Sequence, residues 1–243
     1  MNRKYKNPPI VEALCEIQFI SEKPWDLTIP GLFYEKVKEL FPIREQQLGI
    51  GVLFKPTQTG IEHKIEQAPP RMQFFKTDRS ALIQVAPDLL VINQLTHYPT
   101  WSKFKPTIIE NLDIYNKIAS PKSVKRIGLR YINKIIFAKE SIELSEYFEL
   151  FPNVPRELPQ SQTDFTIRLE IPYLENDRML ITLGKSYPKN NEGVSIILDL
   201  YYISFNQESI NIENFSNWLE HAHGSIETAF EACLKDKTRI SFN

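Results

Sequence analysis

Apolar and polar positions alternate with a period of two near the start of the chain. Across residues 9–20, Val11, Ala13, Cys15, Ile17 and Phe19 stand against Glu12, Leu14, Glu16 and Gln18. This pattern predicts a strand with one buried face. Pro24 and Pro30 then break the chain. Leu32, Phe33, Lys36, Val37, Leu40 and Phe41 sit at helical spacing and predict a short helix ended by Pro42. Strands are predicted at 48–55, 61–67, 71–76, 81–86 and 89–95, with turns at Asp78-Arg79-Ser80 and Pro87-Asp88. A longer amphipathic helix follows. Trp101, Phe104, Ile108, Leu112 and Tyr115 form its stripe, and Ser120-Pro121 stops it.

The order then restarts. A strand is predicted at 124–137, a short helix at 142–151 and a proline-rich loop at 153–164. Strands follow at 165–173, 179–184 and 194–205, with a mobile polar hairpin tip at 187–193. A long helix at 214–234 carries Phe215, Trp218, Leu219, Ala222, Ile226, Ala229, Phe230 and Cys233 on one face, and 239–242 reads as a closing strand. Runs of adjacent strands followed by helices predict an α+β fold with antiparallel sheet, not alternating βαβ units. The halves 1–120 and 121–243 share an order of elements: strand, short helix, antiparallel strands, long helix. Their sequences share negligible identity, so the expectation is a structural duplication, with a boundary near Ser120-Pro121. The pattern leaves open whether the halves form one sheet or two.

Composition narrows the function classes. The 243 residues are 42% hydrophobic and 24% charged, a globular balance and not a disordered one. A net charge of -1 excludes attraction to nucleic acid or acidic membrane by bulk charge. Lys122, Lys125, Arg126, Arg130 and Lys134 are a local basic cluster, but no RNA-recognition strand motif accompanies them, so nucleic acid is not the expected partner. No apolar run approaches the roughly 20 residues of a membrane helix. Pro8-Pro9 follows the basic start where a signal core would stand, so a cytoplasmic location is expected. Cys15 and Cys233 are expected as buried thiols in a reducing compartment.

Recognisable catalytic chemistry is scarce. With 8 glycines and neither a phosphate loop nor a dinucleotide fingerprint, no nucleotide cofactor is expected. His221 and His223 lie two apart on a predicted helix and diverge by about 200°, which does not make a metal pair. His63 and His97 are isolated, and no metal site is expected. There is no serine elbow and no recognisable nucleophile–base set, which points away from an enzyme and leaves no catalytic residue to name.

The segment richest in chemistry is Arg126-Ile127-Gly128-Leu129-Arg130-Tyr131-Ile132-Asn133. On a strand, Arg126, Gly128 and Arg130 share one face, and Ile127, Leu129 and Tyr131 the other. Two readings stay open. The guanidiniums grip a small anion, with Gly128 leaving room and Tyr131 or Asn133 nearby. Alternatively, a pseudo-twofold axis sets this strand beside the first one, and Glu12 and Glu16 form a cross-strand ladder with Arg126 and Arg130.

The opening Asn7-Pro8-Pro9-Ile10-Val11-Glu12-Ala13, this central segment, and a terminal helix with His223, Ile226 and Phe230 before Arg239 and Phe242 resemble a sporadically distributed prokaryotic family of about 250-residue proteins. The resemblance spans the chain, and its specific parts are N-P-x-x-E-A and R-x-G-x-R-Y-x-N. It implies no particular activity or cofactor. It places Glu12, Arg126, Arg130 and Asn133 in characteristic segments. Patchy distribution is typical of mobile conflict and phage-defence islands, which implies a protein partner or homo-oligomer. The expectation is a non-enzymatic interaction module, such as an accessory, antitoxin-like or sensor subunit, against a small anionic-ligand binder or an enzyme of unrecognised class.

Overall fold

A computed structural model describes residues 3, 5–57, 60–160, 163–174, 176–186, 193–205 and 212–243; at 48–57, 60–69, 212 and 213 it describes the backbone. The elements in chain order are β1 (Ile10–Ile20), α1 (Ile29–Val37), β2 (Ile43–Thr57), β3 (Gly60–Phe75), β4 (Ala81–Ala86), β5 (Leu89–Gln94), α2 (Trp101–Ala119), β6 (Ser123–Phe137), β7 (Thr166–Pro172), β8 (Asp177–Ser186), β9 (Val194–Ser204), α3 (Ile212–Cys233) and α4 (Asp236–Arg239). The fold is α+β. All nine strands lie in one sheet in the order β2-β3-β4-β5-β1-β6-β9-β8-β7, and the pairings are antiparallel.

The order shows how the two halves are joined. In each half the first strand lies at the centre, the last strand lies beside it, and the strands between step outward to the edge. The two first strands, β1 and β6, pair with each other across the middle. Ser120 ends α2 in the left-handed region (φ 45°) ahead of Pro121, and Lys122 N–H then donates to Ile20 O. These features turn the chain sharply from α2 into the strand that joins the halves. One apolar core runs through both of them.

The period-two pattern decides which face is covered. Ala13, Cys15, Ile17 and Phe19 of β1 are buried beneath the helices, as are Ile127, Leu129 and Tyr131 of β6 and Leu198, Leu200 and Tyr202 of β9. Phe19 stacks on Tyr115 of α2 at 4.6 Å, Phe33 of α1 meets Phe74 of β3, and Trp218 of α3 leans on Tyr202. The opposite face has no helix over it among the described residues.

Local departures from the sequence reading have physical causes. The first helix begins at Ile29, so Pro30 sits in its first turn and does not break the chain there; an N–H missing at that position is one no helix bonds. The predicted strands 61–67 and 71–76 are one long strand, β3, with a shift in its pairing to β2 between Gln47 and Gly49. The helix expected at 142–151 is a single 3-10 turn, Leu144–Glu146. Its apolar residues are buried in another way. Tyr147 O accepts from Lys235 N–H and Thr238 Oγ1, and Phe148 forms a bridge to Leu234. The closing strand expected at 239–242 is the end of α4 and a 3-10 turn, with Phe242 buried against Tyr5 and Phe230. Residues 187–192 of the expected hairpin tip lie outside the described residues.

Candidate functional site

The uncovered face divides along its length. In the first half it carries a small buried apolar cluster of Ala86, Leu89 and Val91 with Leu14. Beside it runs a polar row that ends on a carboxylate: Gln73 donates to Gln47 and Gln84, Gln84 donates to Asn93, and Asn93 Nδ2 donates to Glu12 Oε1 at 2.6 Å. In the second half the face is ionic and concave. Arg126 and Arg130 of β6, Asp199, Tyr201 and Ile203 of β9, Arg178, Leu180 and Thr182 of β8, Arg168 and Glu170 of β7, and Phe205 line a concavity of about 480 Å³. Strand register builds it. Arg130, Tyr201, Leu180 and Glu170 lie in one row across four strands, and Asp199, Thr182 and Arg168 lie in the next.

The arginines are mostly paired. Arg130 is held by Asp199 at both ends of its fork, Nε to Oδ1 at 2.8 Å and Nη2 to Oδ2 at 2.5 Å. Arg126 pairs with Glu16 of β1, and Arg178 Nη1 donates to Glu170 Oε1 at 2.6 Å. Arg168 has no hydrogen bond or ion pair among the described residues. Burial, followed by the Glu16 charge, pushes the Tyr201 hydroxyl up to about 12, so it stays a neutral hydrogen-bonding group.

Both expectations for the central segment need correction. β1 and β6 are neighbours, but Glu16 lies opposite Gly128 and pairs with Arg126, while Arg130 turns away to Asp199 on β9. Glu12 lies opposite Ile132 and bonds Asn93, so it forms no ion pair in the row. The ladder is therefore half the one expected. The gap at Gly128 is not open to a ligand, because the Tyr201 ring fills it; a Cβ at 128 would stand 2.6 Å from Tyr201 Oη and 2.7 Å from Cζ. Nor do Tyr131 and Asn133 join the arginines. Strand alternation places both on the helix-covered face, where Asn133 Nδ2 donates to Leu198 O.

Tyr131 belongs to a separate buried polar chain. Its hydroxyl lies 2.8 Å from that of Tyr98 and 3.3 Å from His223 Nδ1. His223 stacks on Trp101 at 4.2 Å, with its Nε2 3.3 Å from Glu227. Glu220 accepts from Trp101 Nε1 and Lys105. Burial lowers the His223 pKa to about 4, outweighing the Glu220 carboxylate. The neutral ring fits its partners: Nε2 faces the Glu227 carboxylate, and Nδ1 faces the Tyr131 hydroxyl. His221 points elsewhere and meets Tyr202 edge-on.

Asp199, Arg168, Glu170, Arg178 and Tyr201 complete the concavity and were not singled out from the sequence. Their signal was present. Asp199 interrupts an apolar run, and Arg168 and Glu170 alternate with Ile167, Leu169 and Ile171.

The fold and the site define an antiparallel sheet whose second half carries an ionic groove on the face turned away from the helices. No family model matches the chain, and no curated protein matches it. Among solved structures it is similar to the S. pombe Pct1 RNA triphosphatase in complex with the Spt5 CTD, at 9% identity over 92% of this chain and 81% of that one, with a TM-score of 0.13. An overlap that slight carries no argument about fold or function. Among the described residues no helix is long and apolar enough to cross a membrane.

Proposed function

We infer that the chain is a non-enzymatic protein-interaction module whose docking surface is the groove on the uncovered face, serving as an accessory or sensor subunit in the cytoplasm of a prokaryote. The observation that carries this reading is the groove itself. It is open, spans four strands, and mixes arginines with Leu180, Tyr201 and Phe205. Arg and aromatic residues are enriched at such surfaces. A concavity lined across four strands suits an extended polypeptide better than an enclosed metabolite. Four arginines against Asp199, Glu170 and the nearby Glu16 favour a segment with carboxylates and an apolar side chain. The buried Cys15 and Cys233 are in keeping with a reducing compartment.

The test compares the tagged chain with Thr182→Trp, which fills the groove floor, and Phe205→Ala, which strips its rim. Both are checked for unchanged melting. A polypeptide captured by the parent chain and lost with both variants supports the reading. Capture that ignores both variants overturns it.

A second reading has its own support. Arg168 lacks a partner among the described residues, in a concavity that three other arginines reach. It is that of a small anionic-ligand binder. Native mass spectrometry of the purified chain distinguishes it: a retained anion, lost in Arg168→Glu, is its signature.

A further inference from the structure

β7 is built unlike the inner strands. Apart from Ile167, its residues are exposed. Leu169 and Ile171 are each 39% exposed, although they lie on the face that helices cover elsewhere. β7 closes the strand order, and among the described residues no strand pairs with its outer edge. An uncovered edge with an apolar side is a template for another strand, and chains that stay single blunt it with charge, bulges or short length.

The sequence of this edge, Thr166-Ile167-Arg168-Leu169-Glu170-Ile171-Pro172, is self-complementary about Leu169. Antiparallel pairing of two such edges around a twofold axis sets Leu169 against its copy, Ile167 against Ile171, and Arg168 against Glu170. Opposed residues in an antiparallel pair point to the same face. The apolar residues then meet on the helix side, and two Arg168–Glu170 pairs form on the uncovered side. Within one chain Arg168 lacks a partner among the described residues, whereas Glu170 is bonded to Arg178 through Oε1. The edge thus carries one unanswered charge and presents its complement two residues away.

We propose that two copies of this chain pair through β7 in the register centred on Leu169, joining their nine-stranded sheets into one twofold-symmetric sheet. This contact is isologous, so it closes at two copies and leaves no sticky end. Seven residues per edge put it at the small end of specific interfaces, and the dimer forms and dissociates with concentration. It sets the two grooves side by side on one face. The proposal does not rest on the groove's having a polypeptide partner.

The test is sedimentation velocity at low salt on the parent chain, Arg168→Glu, Glu170→Arg, and an equal mixture of those two. Each single variant places like charges opposite each other twice, and its dimer is expected to weaken by roughly tenfold or more. In the mixture every charged pair is complementary, so a heterodimer of parent-like affinity is expected. Leu169→Lys, at the axis, is expected to be monomeric, with melting unchanged in all variants. A parent chain that stays monomeric at its highest soluble concentration overturns the proposal. So does a dimer indifferent to Leu169→Lys, or a mixture that fails to restore association. None of these outcomes touches the groove reading, which is read by partner capture with Thr182→Trp and Phe205→Ala.

Discussion

The ring of Tyr201 lies over Gly128, in the space that a side chain at 128 would occupy. The Arg130 guanidinium sits 5.5 Å from the centre of the same ring. A tyrosine on β9 thus separates the two arginines of β6 and helps to hold one of them toward Asp199. Gly128→Ala forces the ring aside and is expected to cost about 1–3 kcal/mol of stability, as overpacking does. In a Tyr201→Ala background the same change is expected to cost much less, because the clash is gone. Urea unfolding of the four chains of this cycle checks the coupling.

The ion pairs of the concavity are unequal to the polar row beside them. Asp199→Ala leaves the Arg130 fork without its bidentate partner in a half-buried position and is expected to destabilise by about 1–3 kcal/mol. Glu12→Gln keeps an oxygen that accepts from Asn93 and is expected to change stability by less than about 0.5 kcal/mol. Equal costs for the two would contradict the assignment of Arg130 to Asp199 of β9 and not to Glu12 of β1.

His223 makes stability depend on pH. Its folded pKa of about 4 lies below the ordinary 6.5, so between these values the unfolded chain binds a proton that the folded chain excludes. Stability from this group is whole above about pH 6.5, falls as pH drops, and is lost below about 4, by roughly 3 kcal/mol in all. The groups facing the ring are Tyr131, Trp101, Glu220 and Glu227. His223→Gln is expected to flatten the dependence across this window, read from denaturant midpoints at successive pH values.

Both thiols are shut away. Cys15 is fully buried and Cys233 nearly so, and burial raises both pKa values, that of Cys233 to about 11. Neither thiolate forms near neutrality while the chain is folded. A thiol reagent is expected to leave the native protein unlabelled and to modify both cysteines once denaturant unfolds it. Fast labelling of the native chain would show an opening that the buried core does not provide.

Much of the fold was legible because its information is local. Strand alternation in β1, β6 and β7 and the helical stripes of α2 and α3 follow from which side of each element meets water, and that is written into adjacent residues. The separation of Arg126 and Arg130 from Tyr131 follows from the same rule. Local pattern misled where burial came by another route: residues 142–151 read as a short helix, yet Tyr147 and Phe148 within them are buried by pairing with the chain after α3.

Tertiary structure alone decided which charge meets which. Glu12, Glu16 and a ligand were equivalent partners for the arginines in the sequence, and Asp199 was not among them. The choice depends on strand order and on a register between residues 110 apart for Arg126 and Glu16 and 69 apart for Arg130 and Asp199. A one-residue slip in either pairing would turn every side chain to the other face. The whole buried pattern sets that register, and the ion pairs follow from it. For the same reason the sequence displayed the alternating charges of β7, while only the strand order placed that strand at an open edge.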